Sequence, residues 1–194
     1  GYRSRYSHEK EWASPGYYGV ELIDYGVKAE MTSACRSGIF RFTYPASDKA
    51  FILVDLNHTL WQSCPWSNLR QLNDSTIVGY KLVKGWGPER HIYFAATFSR
   101  KLEHFYILQD GKPVIYNTKR FRSHKEAWGE KLMACFTFST HTGEEVYVKT
   151  AISGVSTEGA LANINELDGL TFESVKSRAE ELWEKELGKY HVAG

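Results

Sequence analysis

The chain has 194 residues, of which 42% are hydrophobic and 24% charged, with a formal net charge of +1 at pH 7. This composition suits one globular domain with a sizeable core and excludes an intrinsically disordered protein. The basic residues are dispersed and no apolar run approaches the roughly 20 residues of a membrane span, so the sequence predicts neither a nucleic-acid partner nor a membrane span. The short basic run at 119–122 is interpreted as a solvated segment.

The amino-terminal part of the chain carries the alternating pattern of antiparallel strands. Residues 1–16 lack a period and are predicted to form an ordered loop. Strands are then predicted at 17–23, 27–32, 38–45 and 51–56. The last of these is dense enough in apolar residues to be buried on both faces. The polar stretch 57–74 is predicted to be a long loop and a possible interface, because loops of this length tend to be functional.

The stretch 75–108 organises the rest of the predicted fold. Two runs rich in β-branched and aromatic residues, 76–83 and 92–98, flank a segment with two glycines and a proline, which predicts a hairpin with a wide turn. The second run is apolar at nearly every position. We therefore expect it at the middle of a two-layer packing with both of its faces covered.

The remainder of the chain adds strands and then helices. Further strands are predicted at 103–109, 113–117, 131–138 and 145–152. Ser156 is expected to cap a short helix, and Thr171 a longer amphipathic helix that ends at Gly188. The whole pattern predicts a mainly β protein, a two-layer antiparallel β-sandwich with a short helix and a longer C-terminal helix.

The sequence pattern signals no catalytic or metal site. The seven histidines show neither a His-x-His pair nor a His-Glu-x-x-His helix, so zinc is not indicated. Glu9 and Glu11 could present two carboxylates on one side of a loop, but a glycosidase pair normally comes from separate elements roughly 5–9.5 Å apart, which favours solvated side chains. Of the three cysteines, Cys135 is predicted in the core, and a pair between Cys35 and Cys64 stays open.

Four tryptophans fall in predicted turns: Trp12, Trp61, Trp66 and Trp86. A tryptophan in a loop can stack on a sugar ring, because it combines an apolar face with a polar rim. The alternative is that each one closes an end of the sandwich, and this is favoured for any single tryptophan.

An ordered set of segments resembles a known family. The segments include 7–11 (SHEKE), 25–32 (YGVKAEMT), 38–45 (GIFRFTYP), 84–86 (KGW) and 152–160 (ISGVSTEGA). In this order they resemble the amino-terminal domain of glycoside hydrolase family 92. The resemblance extends over almost the entire chain.

The resemblance carries specific expectations. Family 92 enzymes are calcium-dependent, exo-acting α-mannosidases that invert configuration. They join an amino-terminal β-sandwich, a supersandwich of the galactose-mutarotase-like type, to a larger α/α-barrel. The resemblance implies that the catalytic acid, the catalytic base and the calcium ligands belong to that barrel, beyond Gly194. It also implies a secreted, periplasmic or cell-surface location.

These expectations define the predicted organisation and function. Residues 1–170 would form the sandwich domain, and residues 171–194 a helix leading toward the catalytic domain. The chain itself would be non-catalytic, would pack on the barrel of the same parent chain and would shape one side of a pocket for mannose-containing glycans. The alternatives are a free-standing carbohydrate-binding module and a purely structural interaction domain.

The resemblance also directs attention to particular residues. His8, Glu9, Glu11 and Trp86 lie in matched segments and are the candidates for substrate binding or for the domain junction. No catalytic residue and no metal site are expected within the chain, and the calcium is expected in the catalytic domain.

Overall fold

The structure is a computed structural model and describes residues 2–115 and 125–191. This part of the chain contains thirteen strands and two α-helices. The strands are β1 (Glu11–Ser14), β2 (Tyr17–Leu22), β3 (Val27–Ser33), β4 (Ser37–Tyr44), β5 (Ser47–Asp55), β6 (Ser63–Asn73), β7 (Thr76–Lys84), β8 (Arg90–Phe98), β9 (Phe105–Gln109), β10 (Lys112–Pro113), β11 (Glu126–Gly129), β12 (Leu132–Thr140) and β13 (Glu144–Ser153). The helices are α1 (Thr157–Ile164) and α2 (Phe172–Leu187), and a 3-10 turn at His8–Lys10 precedes β1.

The strands form two antiparallel sheets of unequal width. The larger sheet has nine strands in the order β1-β2-β3-β4-β13-β8-β7-β6-β11, and the smaller has four in the order β10-β9-β12-β5. Ile77 and Phe98 of the larger sheet share one buried cluster with Ile107 and Phe136 of the smaller sheet. The rings of Phe98 and Phe136 meet edge to face with their centroids 4.7 Å apart. The predicted two-layer sandwich is therefore confirmed, with its main core between the sheets.

The predicted central hairpin is confirmed as β7 and β8. The two strands pair from Val83 opposite Arg90 to Thr76 opposite Thr97. Side chains alternate along β8, so Ala96 and Phe98 face the sandwich core while Ala95 faces outward. The outward face of this part of β8 is covered by a helix, and not by a third layer of strands.

Both helices begin where the sequence predicts and lie on the outer face of the larger sheet. The Ser156 hydroxyl accepts a hydrogen bond from the Gly159 amide at 3.0 Å, and the Thr171 hydroxyl accepts one from the Ser174 amide at 3.2 Å. Each cap satisfies an amide that has no partner within its helix. Helix α1 packs on Val78, Ala95 and Ala151, whereas α2 packs Phe172 and Val175 on Ile39.

The predicted loop at 57–74 is wrong over most of its length. Its residues from Ser63 onward form β6, the longest strand of the described chain, with Leu69 fully buried. A register shift between Ser63 and Trp66 accommodates Pro65, which cannot donate to a regular ladder. The polar outward face and the proline hid the strand from its sequence pattern.

Three further elements differ from the sequence prediction. The supposed loop at 1–16 contains the turn at His8–Lys10 and the short edge strand β1. The strand predicted at 51–56 to be buried on both faces is β5, an edge strand whose Phe51 and Val54 are only half-buried. Strand β11 was not predicted. Part of the predicted strand at 113–117, the basic run at 119–122 and the last three residues, 192–194, lie outside the described residues.

The structure also shows the state of the cysteines and the character of the helices. Cys35, Cys64 and Cys135 all carry free thiols, so the possible Cys35–Cys64 pair is not formed. Burial raises the pKa of the Cys64 and Cys135 thiols, which keeps both protonated at neutral pH. Within the described residues, neither helix is long and apolar enough to cross a bilayer.

A buried carboxylate joins α2 to the sheet. Glu30 is only 3% exposed and accepts hydrogen bonds from Arg41 at 2.8 and 2.9 Å and from the Tyr17 hydroxyl at 2.8 Å. Arg41 also donates to Glu173 of α2 at 2.7 Å and lies over the Phe172 ring at 4.3 Å. Burial disfavours the charge of Glu30, but the hydrogen bonds from Arg41, Tyr17 and Lys28 outweigh it and lower the pKa of Glu30 to about 2.

We predict that Glu30→Gln lowers the free energy of unfolding at pH 7 by roughly 3 kcal/mol, because the substitution leaves the buried Arg41 charge without its main partner. A carboxylate with a lowered pKa stabilises the fold above its ordinary value of 4.5, and this contribution disappears as the pH falls toward about 2. Denaturation followed by circular dichroism from pH 7 to pH 2 should therefore show a shallower loss in the variant. Glu89→Gln, which breaks a half-exposed pair with Lys84, is the control and should change little. Equal stability of wild type and Glu30→Gln would contradict the prediction.

Gly79 provides a second test of the packing. A Cβ atom at this position would lie 2.0 Å from the backbone oxygen of Asn68 on the neighbouring strand β6. We predict that Gly79→Ala destabilises the protein by roughly 1–3 kcal/mol, because the ladder must open to admit the methyl group. Gly154→Ala is the matched control, since its Cβ would meet no atom within 4 Å. Similar melting temperatures for the two variants would show that β6 and β7 are not as closely paired as described.

Candidate functional site

The strand register defines two ends of the larger sheet. One end, which we call the Trp86 end, carries the β7–β8 turn, the β3–β4 turn and the end of β13, as the pairs Val83 with Arg90 and Ser33 with Gly38 show. The other, the Gly26 end, carries the β2–β3 turn and the start of β13, where Glu144 lies opposite Tyr44. These two ends decide which candidate residues can act together.

Two of the candidates, His8 and Glu11, form a hydrogen-bonded cluster with Tyr18 toward the Gly26 end. The His8 Nδ1 atom lies 2.6 Å from one carboxylate oxygen of Glu11, and the Tyr18 hydroxyl donates to the other oxygen at 2.6 Å. The His8 side chain is 85% exposed, and Tyr6 packs against its ring edge to face. The turn at His8–Lys10, capped by Ser7, brings His8 within reach of Glu11.

The cluster holds Glu11 as a carboxylate. Hydrogen bonds from Tyr18 and then from His8 lower the pKa of Glu11. The same bond to Glu11 is the main reason why the pKa of Tyr18 is raised to about 12. A general acid must carry a proton near the working pH, so Glu11 is unsuited to that role. Glu9 is exposed, and its amide donates to the Ser7 hydroxyl at 3.3 Å.

Trp86 lies far from this cluster. It sits in the β7–β8 turn at the Trp86 end with 97% of its surface exposed. Strand β1 is at one edge of the larger sheet, five strands from β8. The structure thus brings His8 and Glu11 together but separates them from Trp86, so the four candidates do not form one site.

The other loop tryptophans are exposed as well. Trp61 lies in the loop before β6 and is 101% exposed, whereas Trp12 in β1 and Trp66 in β6 are 43% and 46% exposed. Trp12 and Trp66 therefore belong to strands and not to turns. None of these three, nor Trp86, is buried against an end of the sandwich, which removes the favoured alternative for them.

Carboxylate and imidazole side chains can also bind metal ions. Among residues 2–115 and 125–191, no three His, Cys, Asp or Glu side chains come together as a possible metal site. Glu30 and Glu173 share Arg41 as their partner and Lys28 also pairs with Glu30, so these carboxylates are already balanced by side-chain cations. The described residues do not fit a calcium site of the carboxylate type.

Comparison with known proteins decides the family. The model for the glycosyl hydrolase family 92 N-terminal domain matches residues 1–153. The chain belongs to glycosyl hydrolase family 92. It corresponds to the amino-terminal domain of that family, as the ordered segments in the sequence predict.

Solved structures agree with this assignment. A family GH92 alpha-mannosidase from Bacteroides thetaiotaomicron is 72% identical over the whole chain, with a TM-score of 0.94. That protein has also been solved in complex with mannoimidazole. A family GH92 inverting mannosidase from Bacteroides thetaiotaomicron VPI-5482 shares the fold over 98% of the chain, with 20% identity and a TM-score of 0.82. Among curated proteins, no sequence matches the chain.

The family 92 chain described here spans about a quarter of these relatives. It covers 26% of the 72% identical alpha-mannosidase and 25% of the inverting mannosidase. A larger part of each relative therefore lies outside the matched domain.

Two exposed surfaces of this family 92 domain are not evident from the sequence pattern. One is formed by the far half of α2 and the turn after it, where Leu182, Trp183, Leu187 and Tyr190 are 66%, 51%, 47% and 79% exposed. Their helical spacing is visible in the sequence, but their exposure depends on how far the sheet extends beneath the helix. The other is the outer face of β11, β6, β7 and β8. It cannot be predicted without β6 and β11, which the sequence pattern does not indicate.

The His8–Glu11–Tyr18 cluster can be tested directly. We predict that Glu11→Gln returns the pKa of Tyr18 from about 12 toward the ordinary value of 10, because the acceptor loses its charge. The pKa can be measured from the ring carbon resonance of Tyr18 in a pH titration. Glu9→Gln removes a neighbouring charge without touching Tyr18 and should leave its pKa unchanged. A Tyr18 pKa that stays near 12 in Glu11→Gln would refute the hydrogen bond.

Proposed function

We propose that this chain is the non-catalytic sandwich domain of an exo-acting, calcium-dependent α-mannosidase that inverts configuration. In the parent protein it packs on an α/α-barrel catalytic domain and shapes one side of the mannose pocket. Family membership supports the parent activity, and the single observation that carries the docking role is the uncovered apolar stripe of α2.

The stripe continues the packed face of the helix. Val175 and Ala179 are buried on the sandwich, and Leu182 follows at the next helical position on the same side. Beyond Ala179 the apolar side chains stay exposed, although burying a leucine or a tryptophan stabilises a protein by about 1.5–3 kcal/mol. A contiguous exposed stripe of this kind is typical of an interface.

The direction of α2 supports a junction at the Trp86 end. The helix starts above Arg41 in the middle of the sheet and passes Gly16 of the β1–β2 turn, whose Cβ would lie 2.9 Å from the Cβ of Ala179. Leu182 then lines the same groove as Ala34 of the β3–β4 turn. Trp86 shares this end with the stripe and fits the proposed junction, whereas His8, Glu9 and Glu11 lie toward the other end.

The described carboxylates suit a supporting role. Hydrolysis with inversion needs one carboxylic acid and one carboxylate on opposite faces of the sugar, roughly 6.5–9.5 Å apart. Glu30, with a pKa of about 2, is tied to Arg41, and Glu11 is tied to His8 and Tyr18. In this proposal the acid, the base and the calcium belong to the barrel, and the chain contributes position and enclosure.

A chimera tests the proposal. This chain would replace the matched quarter of the 72% identical Bacteroides alpha-mannosidase, and hydrolysis of an aryl α-mannoside would be measured with calcium and with a chelator. We expect the chimera to be active with calcium, to lose activity with the chelator and to release inverted mannose. The isolated chain should release no mannose under any of these conditions. Turnover by the isolated chain, or a folded but inactive chimera, would overturn the proposal.

The docking role has its own variant within the chimera. Leu182→Ser with Trp183→Ser should weaken the contact between the domains, lower the melting temperature and reduce activity several-fold. Lys185→Ser with Glu184→Ser, also exposed on α2, is the matched control and should leave both properties near those of the parent chimera. Equal effects of the two double variants would show that the apolar stripe is not the junction.

A further inference from the structure

The outer face of the larger sheet carries a group of aromatic side chains that α1 and α2 leave uncovered. We call this surface the aromatic face and define it by Trp128 of β11, Trp66 of β6, Tyr80 of β7, and His91 and Tyr93 of β8. The strand register makes it contiguous. Trp128 lies opposite Asn68, Asn68 opposite Tyr80, and Tyr80 opposite Tyr93, so one row of side chains crosses four strands.

A second row lies next to the first on the same face. Trp66 is opposite Leu82, and Leu82 is opposite His91. Side chains two residues apart on a strand point to the same face. Trp66 and His91 therefore lie in a row directly beside the row that contains Tyr80. The rings are in contact, with centroid separations of 5.5 Å between Tyr80 and His91, 5.6 Å between Tyr80 and Tyr93, and 6.0 Å between His91 and Tyr93.

The helices bound this face without covering it. Helix α1 lies over the adjoining row formed by Val78, Ala95 and Ala151. The first turn of α1 reaches Ser153, which is paired with Tyr93, since a Cβ on Gly159 would lie 2.7 Å from the Ser153 hydroxyl. Beyond that boundary Trp66 and Trp128 are 46% and 52% exposed. Such large aromatic surfaces on an open sheet call for a ligand or a partner.

The chemistry of the face indicates which ligand. Its rings offer flat apolar surfaces, and their indole, imidazole and hydroxyl groups can hydrogen-bond at the rim. Within the described part of the chain, the Tyr80 and Tyr93 hydroxyls make no hydrogen bond to protein. Neither row contains Lys, Arg, Asp or Glu, and the charged side chains of the adjoining row, Glu126 and Arg70, lie opposite each other. Single-stranded nucleic acids require a positively charged groove beside their stacking platform, which this balanced pair does not supply. An uncharged aromatic surface matches a neutral ligand with alternating apolar and hydroxylated faces.

We propose that the aromatic face binds a neutral glycan chain, with sugar rings stacked on Trp66 and Trp128 and with hydroxyls bonded to Tyr80, His91 and Tyr93. This surface lies on the open side of a sheet, separate from the stripe of α2 that serves the domain junction. The choice of a mannose polymer as the preferred glycan rests on the proposed function. The role of the face would be to hold a polymeric substrate near the enzyme while a chain end is hydrolysed.

Binding to soluble α-mannan tests this inference. Affinity electrophoresis and calorimetry would be run on the isolated chain and on the chimera described above, with wild-type sequence and with Trp66→Ala and Trp128→Ala. We expect mannan binding by wild type and about three- to tenfold weaker binding for each substitution. Trp128→Tyr should restore most of the binding because it keeps a stacking ring. Trp12→Ala, at a tryptophan of similar exposure outside the face, should bind as wild type does.

Each contrary result identifies a different error. Absence of mannan binding by wild type, or equal weakening in Trp12→Ala, would overturn the glycan site. Salt-sensitive binding of an oligonucleotide that depends on Trp66 would show that the ligand is nucleic acid. If Trp66→Ala and Trp128→Ala lower the melting temperature or the aryl α-mannosidase activity of the chimera, the face is part of the domain junction. Loss of mannan binding with unchanged aryl α-mannosidase activity would support the inference, and the activity itself reports separately on the proposed function.

Discussion

The Glu30–Arg41 pair fixes the position of helix α2 on the larger sheet. Arg41 holds Glu30 of the sheet and Glu173 of the first turn of α2 at the same time, and it covers the Phe172 ring. A helix that was held only by Phe172 and Val175 could pivot on the sheet. The charged contacts restrict that pivot, because two of the three groups are themselves fixed in adjacent strands. The direction in which the exposed half of α2 points is therefore set inside the domain.

The unequal width of the two sheets explains why apolar and aromatic side chains of the larger sheet remain uncovered. A four-stranded sheet can cover only part of the inner face of a nine-stranded sheet, and two helices cover only part of its outer face. Two grooves, both lined in part by Phe42 and Ile52, open between the edge strand β5 and the larger sheet. The width that lets the second half of β8 pack on both faces also leaves other parts of the larger sheet uncovered.

Local signals predicted most of the fold, while the arrangement of the site depended on register. Caps at Ser156 and Thr171 and the turn between β7 and β8 are encoded within a few residues, so the sequence alone locates them. The local sequence of β6, with Pro65 and a polar outward face, is typical of a loop. It forms a strand because pairing with β7, through a register shift at Pro65, stabilises it. The contact between His8 and Glu11 follows from their spacing in the sequence. Their separation from Trp86 depends on the order of the strands from β1 to β8, and this order cannot be predicted from local sequence patterns.

The two uncovered surfaces differ in their chemistry, which favours different partners in our proposals. The stripe on α2 combines leucines with aromatic residues on a helix, where side chains can adjust to an apolar protein surface and exclude water from a large area. The aromatic face holds rings on paired strands, in fixed positions about one strand spacing apart, and it mixes stacking surfaces with polar rims. A rigid, uncharged array is poorly suited to burial against a protein, since its hydroxyl and imidazole groups would need new partners there. Hydroxyl-rich sugars bring those partners with them, which is why we assign the stripe to the catalytic domain and the aromatic face to the glycan.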